Sequence, residues 1–119
     1  MAPRLRIINR TRDVTLAEDA ALANTLWTRM RGLLGTSELP QGTGLVIEPC
    51  NSIHTFFMTY PIDVLFLDKS GEVVKVLEVV KPWRLTAMYP RARSVLELPA
   101  GALSGTGTTE GDVIQRAPI

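Results

Sequence analysis

The chain has 119 residues, of which 45% are hydrophobic and 21% charged, with a formal net charge of +1. That length fits one domain, residues 1–119, and can bury a core without disulfides or metal. The near-zero charge excludes a global field that would gather nucleic acid or anionic membrane.

A single cysteine, Cys50, cannot form an internal disulfide, so a reducing, cytoplasmic setting is expected. The first residues carry positive charge but no apolar h-region, so no secretory signal is read there. No apolar run reaches the ~18 residues of a membrane-spanning helix.

In chain order, RLRIIN (4–9) and DVTLAE (13–18) predict short strands. NTLWTRMRGLLG (24–35) predicts the one helix. Leu26, Met30, Leu33 and Leu34 recur at helical spacing, Asn24 or Thr25 can cap its start, and Gly35 suits its end. GLVIEP (44–49) predicts a strand. SIHTFFM (52–58) and IDVLFLD (62–68) predict two more, joined as a hairpin about Tyr60-Pro61. DKSGE (68–72) suits a type I turn followed by a glycine bulge, from which VVKVLEVV (73–80) returns. KPWRLTAMYPRAR (81–93) is a long irregular connection. SVLELP (94–99) is a strand, residues 100–112 are mostly loop, and VIQR (113–116) is the last strand. The expected class is mainly β (α+β): an antiparallel-rich sheet, or a small partly closed barrel, with one packed α-helix.

Chemistry concentrates between residues 50 and 63. Cys50 and His54, four apart, share a face only on a helix; on a strand they stand roughly 13 Å apart. That is too far for one metal ion, and no second His or Cys helps. In the predicted hairpin His54 pairs with Leu67 and Asp63 with Met58, again roughly 13 Å apart, which argues against a catalytic dyad. Asp63 lies among apolar residues, so its carboxylate needs hydrogen bonds; the Tyr60-Pro61 turn or Arg31 is the expected source. Trp83 and Arg84 lie in the long connection, which reads as a rim for a small ligand or peptide with Arg84 or Arg91 pairing an anionic group. Gly111 and Asp112 suit a tight turn. Basic clusters at Arg4, Arg6, Arg10 and Arg12 and at Arg84, Arg91 and Arg93 read as solvated faces, so nucleic acid is not the expected partner.

The stretches RMRGLLG, SIHTFFMTYPIDVLFLDKSGEVV, PWR and VLELPAG…GDVI together resemble DUF192, a family of small bacterial and archaeal proteins. The resemblance covers about residues 14–116 and carries over Arg31-Gly32-Leu33, Phe57-Met58, Pro61-Ile62-Asp63, Leu96 to Gly101, and Gly111-Asp112. It implies a compact β-rich fold with little helix and no established activity; many relatives carry secretion signals. Thr59 stands where many relatives have a basic residue, so an anion site there is not carried over.

These readings favour a non-catalytic module for a small ligand or peptide. His54, Asp63, Trp83, Arg84 and Asp112 are its candidate binding residues, with no cofactor, metal or membrane. The alternatives are a small hydrolase using Asp63 or His54 in acid–base work, and a module that pairs through a sheet edge.

Overall fold

The computed structural model describes residues 4–24 and 38–119. The helix expected over residues 24–35 lies outside these, apart from Asn24. Seven strands form one sheet: β1 (Arg4–Asn9), β2 (Val14–Ala23), β3 (Thr43–Ile47), β4 (Ile62–Leu67), β5 (Val73–Val80), β6 (Ser94–Pro99) and β7 (Ile114–Pro118). Their order is β5-β4-β6-β3-β2-β1-β7. All pairings are antiparallel except β2 with β3, so the sheet is mixed.

The sheet curls until its margins meet at one end. Glu72, just before β5, bridges Val113, just before β7. Around that bridge the Val73 amide donates to the Asp112 carbonyl, the Gly111 amide to the Val73 carbonyl and the Ile114 amide to the Gly71 carbonyl. Beyond Val73 the margins part, which leaves a half-barrel zipped at one end of its seam.

Alternation along the strands divides the core in two. Leu5, Ile7, Val46, Leu65, Leu96, Leu98 and Ile114 point into the barrel and pack together from strands at both margins. Leu45, Ile47, Ile62, Val64, Phe66 and Val95 point outward and are covered by Ile53, Met58 and Ala92. Strands β4 and β6 are buried along their whole length because both faces are covered, which is why they read as apolar runs interrupted only by Asp63 in β4 and by Ser94 and Glu97 in β6.

The turn at Asp68–Glu72 forms as the sequence expects. Asp68 Oδ1 accepts from the amides of Ser70 and Glu72 and from the Ser70 hydroxyl, and Gly71 supplies φ +88°. The expected hairpin of SIHTFFM with IDVLFLD does not form. Strand β4 is paired on both sides, by β5 and β6, so no ladder edge is left for residues 52–58. Those residues fold instead against residues 82–89 as a cap. Met58 closes a turn onto Thr55, and Phe57 between them has φ +68°, incompatible with a continuing strand.

Candidate functional site

The cap is organised by Thr55, which is fully buried. Its amide donates to the Arg84 carbonyl, and its carbonyl accepts from the Trp83 amide. Its hydroxyl donates to the Lys81 carbonyl at 2.7 Å and accepts from the Arg84 amide at 2.8 Å. The Ile53 carbonyl accepts from the Thr86 amide, and the Asn51 carbonyl from the Tyr89 amide. A bridge joins His54 to Leu85. One threonine thus binds the ends of two irregular segments that have no ladder of their own.

What this frame presents to water is apolar. Phe57 is 70% exposed and Trp83 57% exposed, with ring centroids 4.7 Å apart and planes tilted by 59°. Phe56 lies 6.0 Å from Trp83, and His54 stacks on Phe56 at 5.0 Å. Leu85, Met88 and Val79 are also exposed. Phe57, Trp83 and Val79 all adopt positive φ, at 68°, 64° and 53°. Bulky and β-branched residues seldom do.

Next to these rings an open groove of about 610 Å³ runs between β5 and the connection after it. Val76 to Lys81 form one wall, and Arg84 to Ala87 with Tyr89 the other. Its shape depends on a β-bulge. Ile62 pairs with Val80 and Val64 with Leu77, so β5 has an extra residue opposite Asp63. Asp63 Oδ1 accepts the Val79 amide at 2.8 Å and turns the Val79 side chain out to solvent.

Asp63 therefore acts from inside the barrel. It has no solvent exposure, and its Oδ2 accepts from the amides of Gly101 and Leu103 at 3.1 and 2.9 Å. The hydrogen bonds that a buried carboxylate needs come from β5 and the turn after β6, where the Tyr60-Pro61 turn or Arg31 is the expected source; Arg31 lies outside the described residues. His54 is exposed, and its Nδ1 accepts the Phe56 amide at 3.2 Å. No hydrogen bond joins it to Asp63. Arg84 lines the groove, while Trp83 lies against the rings of Phe56 and Phe57, with His54 stacked on Phe56.

Asp112 belongs elsewhere, near the seam. Its Oδ2 accepts from Asn9 Nδ2, Arg12 Nε and the Thr109 amide, each within 3.1 Å. Burial pushes its carboxyl pKa up, but those bonds and the Arg12 charge outweigh burial and hold it below the ordinary value. Glu97 has the opposite fate. It sits on the outward face of β6 between Leu45 and Val64, and burial raises its pKa to about 8. Cys50 directs its thiol to the Ser52 carbonyl at 3.0 Å. Among the described residues no three His, Cys, Asp or Glu side chains converge as a metal site, and no helix is long and apolar enough to cross a membrane.

The sequence marks Trp83 and Arg84 as candidates but gives no sign that Phe57, Val79 and Leu85 are exposed. The Phe-Phe doublet reads as strand interior, and nothing in composition marks a positive φ. The one signal was indirect: two aromatics within an apolar run next to a second aromatic loop.

The fold and cap define a class, a curled β half-barrel whose outer sheet face carries an aromatic-faced cap. By sequence the chain belongs to the DUF192 family, whose model, described as Uncharacterized ACR, matches residues 7–116. A UPF0127 protein of Thermococcus sibiricus is 35% identical over 112 residues, covering 91% of this chain and 72% of that one. A UPF0127 protein of Pyrococcus horikoshii is 32% identical over 114 residues, covering 92% and 96%. Two solved structures share the fold. A Sinorhizobium meliloti 1021 protein put forward as a transcription regulator has TM-score 0.78 at 22% identity, over 98% of this chain and 94% of that one. A Novosphingobium aromaticivorans protein of unknown function has TM-score 0.75 at 17% identity, over 94% and 83%.

Proposed function

We propose that the chain is a binding module whose recognition surface is the exposed ring cluster with the adjoining groove, and that it takes a small ligand or peptide through an apolar anchor. One observation supports this above the others. Phe57 and Trp83 are held at positive φ, which costs on the order of 1–3 kcal/mol each, yet their rings are mostly in water. Core packing does not explain that arrangement, because a ring that strengthens a core is buried. Exposed aromatic surface next to a concave groove is what recognition sites offer.

Catalysis has less support. Both oxygens of Asp63 are taken up by backbone amides, and no carboxylate lies within hydrogen-bond reach of His54. Phosphate tracking by the N-terminal arginines also has little. Arg4, Arg6 and Arg12 are paired with Asp19, Glu18 and Asp112.

The test separates binding from folding. Glycine adopts positive φ without strain, so Phe57→Gly and Trp83→Gly are expected to stay within about 1 kcal/mol of the parent in urea unfolding. A thermal-shift screen of metals, nucleotides, sugars and short peptides is expected to give a shift that both variants lose. If every shift persists in both, or none occurs with the parent, the reading fails.

A further inference from the structure

Resting on that binding reading, we propose that the groove takes an extended acidic segment of another polypeptide, laid along the outer margin of β5 with an apolar residue against Phe57 and Trp83. The groove's course is the first reason. Consecutive residues Val76 to Lys81 line it. Neighbouring side chains on a strand point to opposite faces, so a groove lined by all of them follows the strand's margin and not one face.

Among the described residues that margin is open. β4 occupies the other side of β5, and the zipped part of the seam ends at Val73. Beyond the β4 ladder and the bond from Val79 to Asp63, no backbone amide from Val76 to Lys81 has an acceptor among the described residues. Unpaired main-chain groups on a strand margin are what an incoming extended peptide uses.

Charge and shape narrow the occupant. Lys81 and Arg84 face the groove against Glu78 alone, and neither cation makes an ion pair among the described residues. Arg4, Arg6, Arg12 and Arg116, by contrast, are each engaged by a carboxylate. The groove's positive balance fits Asp or Glu on the partner. The two tilted rings form a wedge that suits an aliphatic or proline side chain better than a flat ring, which would stack on parallel planes. The bulge at Val79 and the charge of Lys75 hinder pairing of identical margins, so a second copy of this chain fits less well.

The experiment is selection of a phage-displayed library of random peptides of about ten residues. It is run on the wild-type protein with counter-selection on Trp83→Gly. Recovered peptides are expected to share an apolar residue flanked by Asp or Glu, and to shift the amide resonances of Val76 to Val80 and the Trp83 indole. The double reversal Lys81→Glu/Arg84→Glu is expected to weaken them about tenfold and to favour basic peptides instead. Peptides without acidic bias, shifts confined to other strands, or no enrichment over the counter-selection would overturn the proposal. So would self-association of the free protein that the double reversal abolishes, because a second copy would then be the occupant. If no peptide is enriched but a small ligand still binds through Trp83, the peptide assignment falls and the binding reading stands. If Trp83→Gly changes no interaction at all, both fall.

Discussion

Asp63 shows how one buried side chain can shape a surface it never touches. Its carboxylate gathers amides from Val79, Gly101 and Leu103. Asp63→Ala strands all three, and urea unfolding is expected to show a loss of about 3 kcal/mol or more. Asp63→Asn keeps one acceptor oxygen and should lose less, about 2 kcal/mol. An unchanged midpoint in the alanine variant would mean the anchor is dispensable. Two other carboxyls set opposite pH limits. Glu97 is protonated in the fold up to about pH 8 but ionises near its ordinary value when unfolded. Between those values the folded state holds the extra proton, so stability falls as pH rises, by up to ~1.4 kcal/mol per pH unit. Asp112 is held below its ordinary value, so its contribution is full above that value and is lost as pH falls through the folded one. Unfolding free energies measured from pH 3 to 9 should therefore lose their downward slope between about pH 4.5 and 8 in Glu97→Gln and part of their acid slope in Asp112→Asn. A Glu97→Gln profile parallel to wild type would rule out the buried acid as the cause.

At the scale of elements, turn and seam are one device. Gly71 has φ +88°, and a Cβ there would meet the Ile114 carbonyl oxygen at 2.6 Å. Gly42 has a similar φ of +83° with nothing within 4 Å. Gly42→Ala should cost about 1 kcal/mol from backbone strain alone. Gly71→Ala should cost clearly more and expose the seam amides of Val73 and Ile114 to hydrogen exchange; equal losses in the two variants would deny the close approach. Strands β1, β5 and β6 are legible in the sequence to the residue, because their apolar runs end at turn residues. Strand β2 is longer than its sequence suggests: Asp19-Ala20-Ala21-Leu22-Ala23 has weak strand propensity, but β1 and β3 pair along it on both sides. Residues 52–58 misled for the converse reason. Their propensity is high, but the partner that decides their conformation is an irregular segment about thirty residues on, and propensity carries no information about partners.

Across the whole molecule, the half-barrel separates support from presentation. The barrel interior holds Asp63, the seam holds Asp112, and the cap holds His54, Trp83 and Arg84. The sequence showed that Asp63 must be hydrogen-bonded, since burial of a lone carboxylate is so unfavourable. It did not show the donors, which lie 16, 38 and 40 positions away. Nor did it show that this bond pushes a valine into the groove wall. Trp83 was visible because an aromatic in a long connection is conspicuous; Phe57 was not, because only the folded backbone turns it outward.

The place of β1 also has a consequence for how the chain reaches this state. Strand β1 lies between β2 and β7, and the Ile119 amide donates to the Arg4 carbonyl. During synthesis β1 emerges well before β7, so the flank that pairs with residues 114–118 must wait for them. Until they leave the ribosome, that flank is a bare template for chance pairing with other chains. Arg4, Arg6 and Arg10, carried on or beside it, give the waiting segment a like-charged border that discourages contact between nascent copies. In the finished fold that border is partly neutralised, because Arg4 pairs with Asp19 and Arg6 with Glu18.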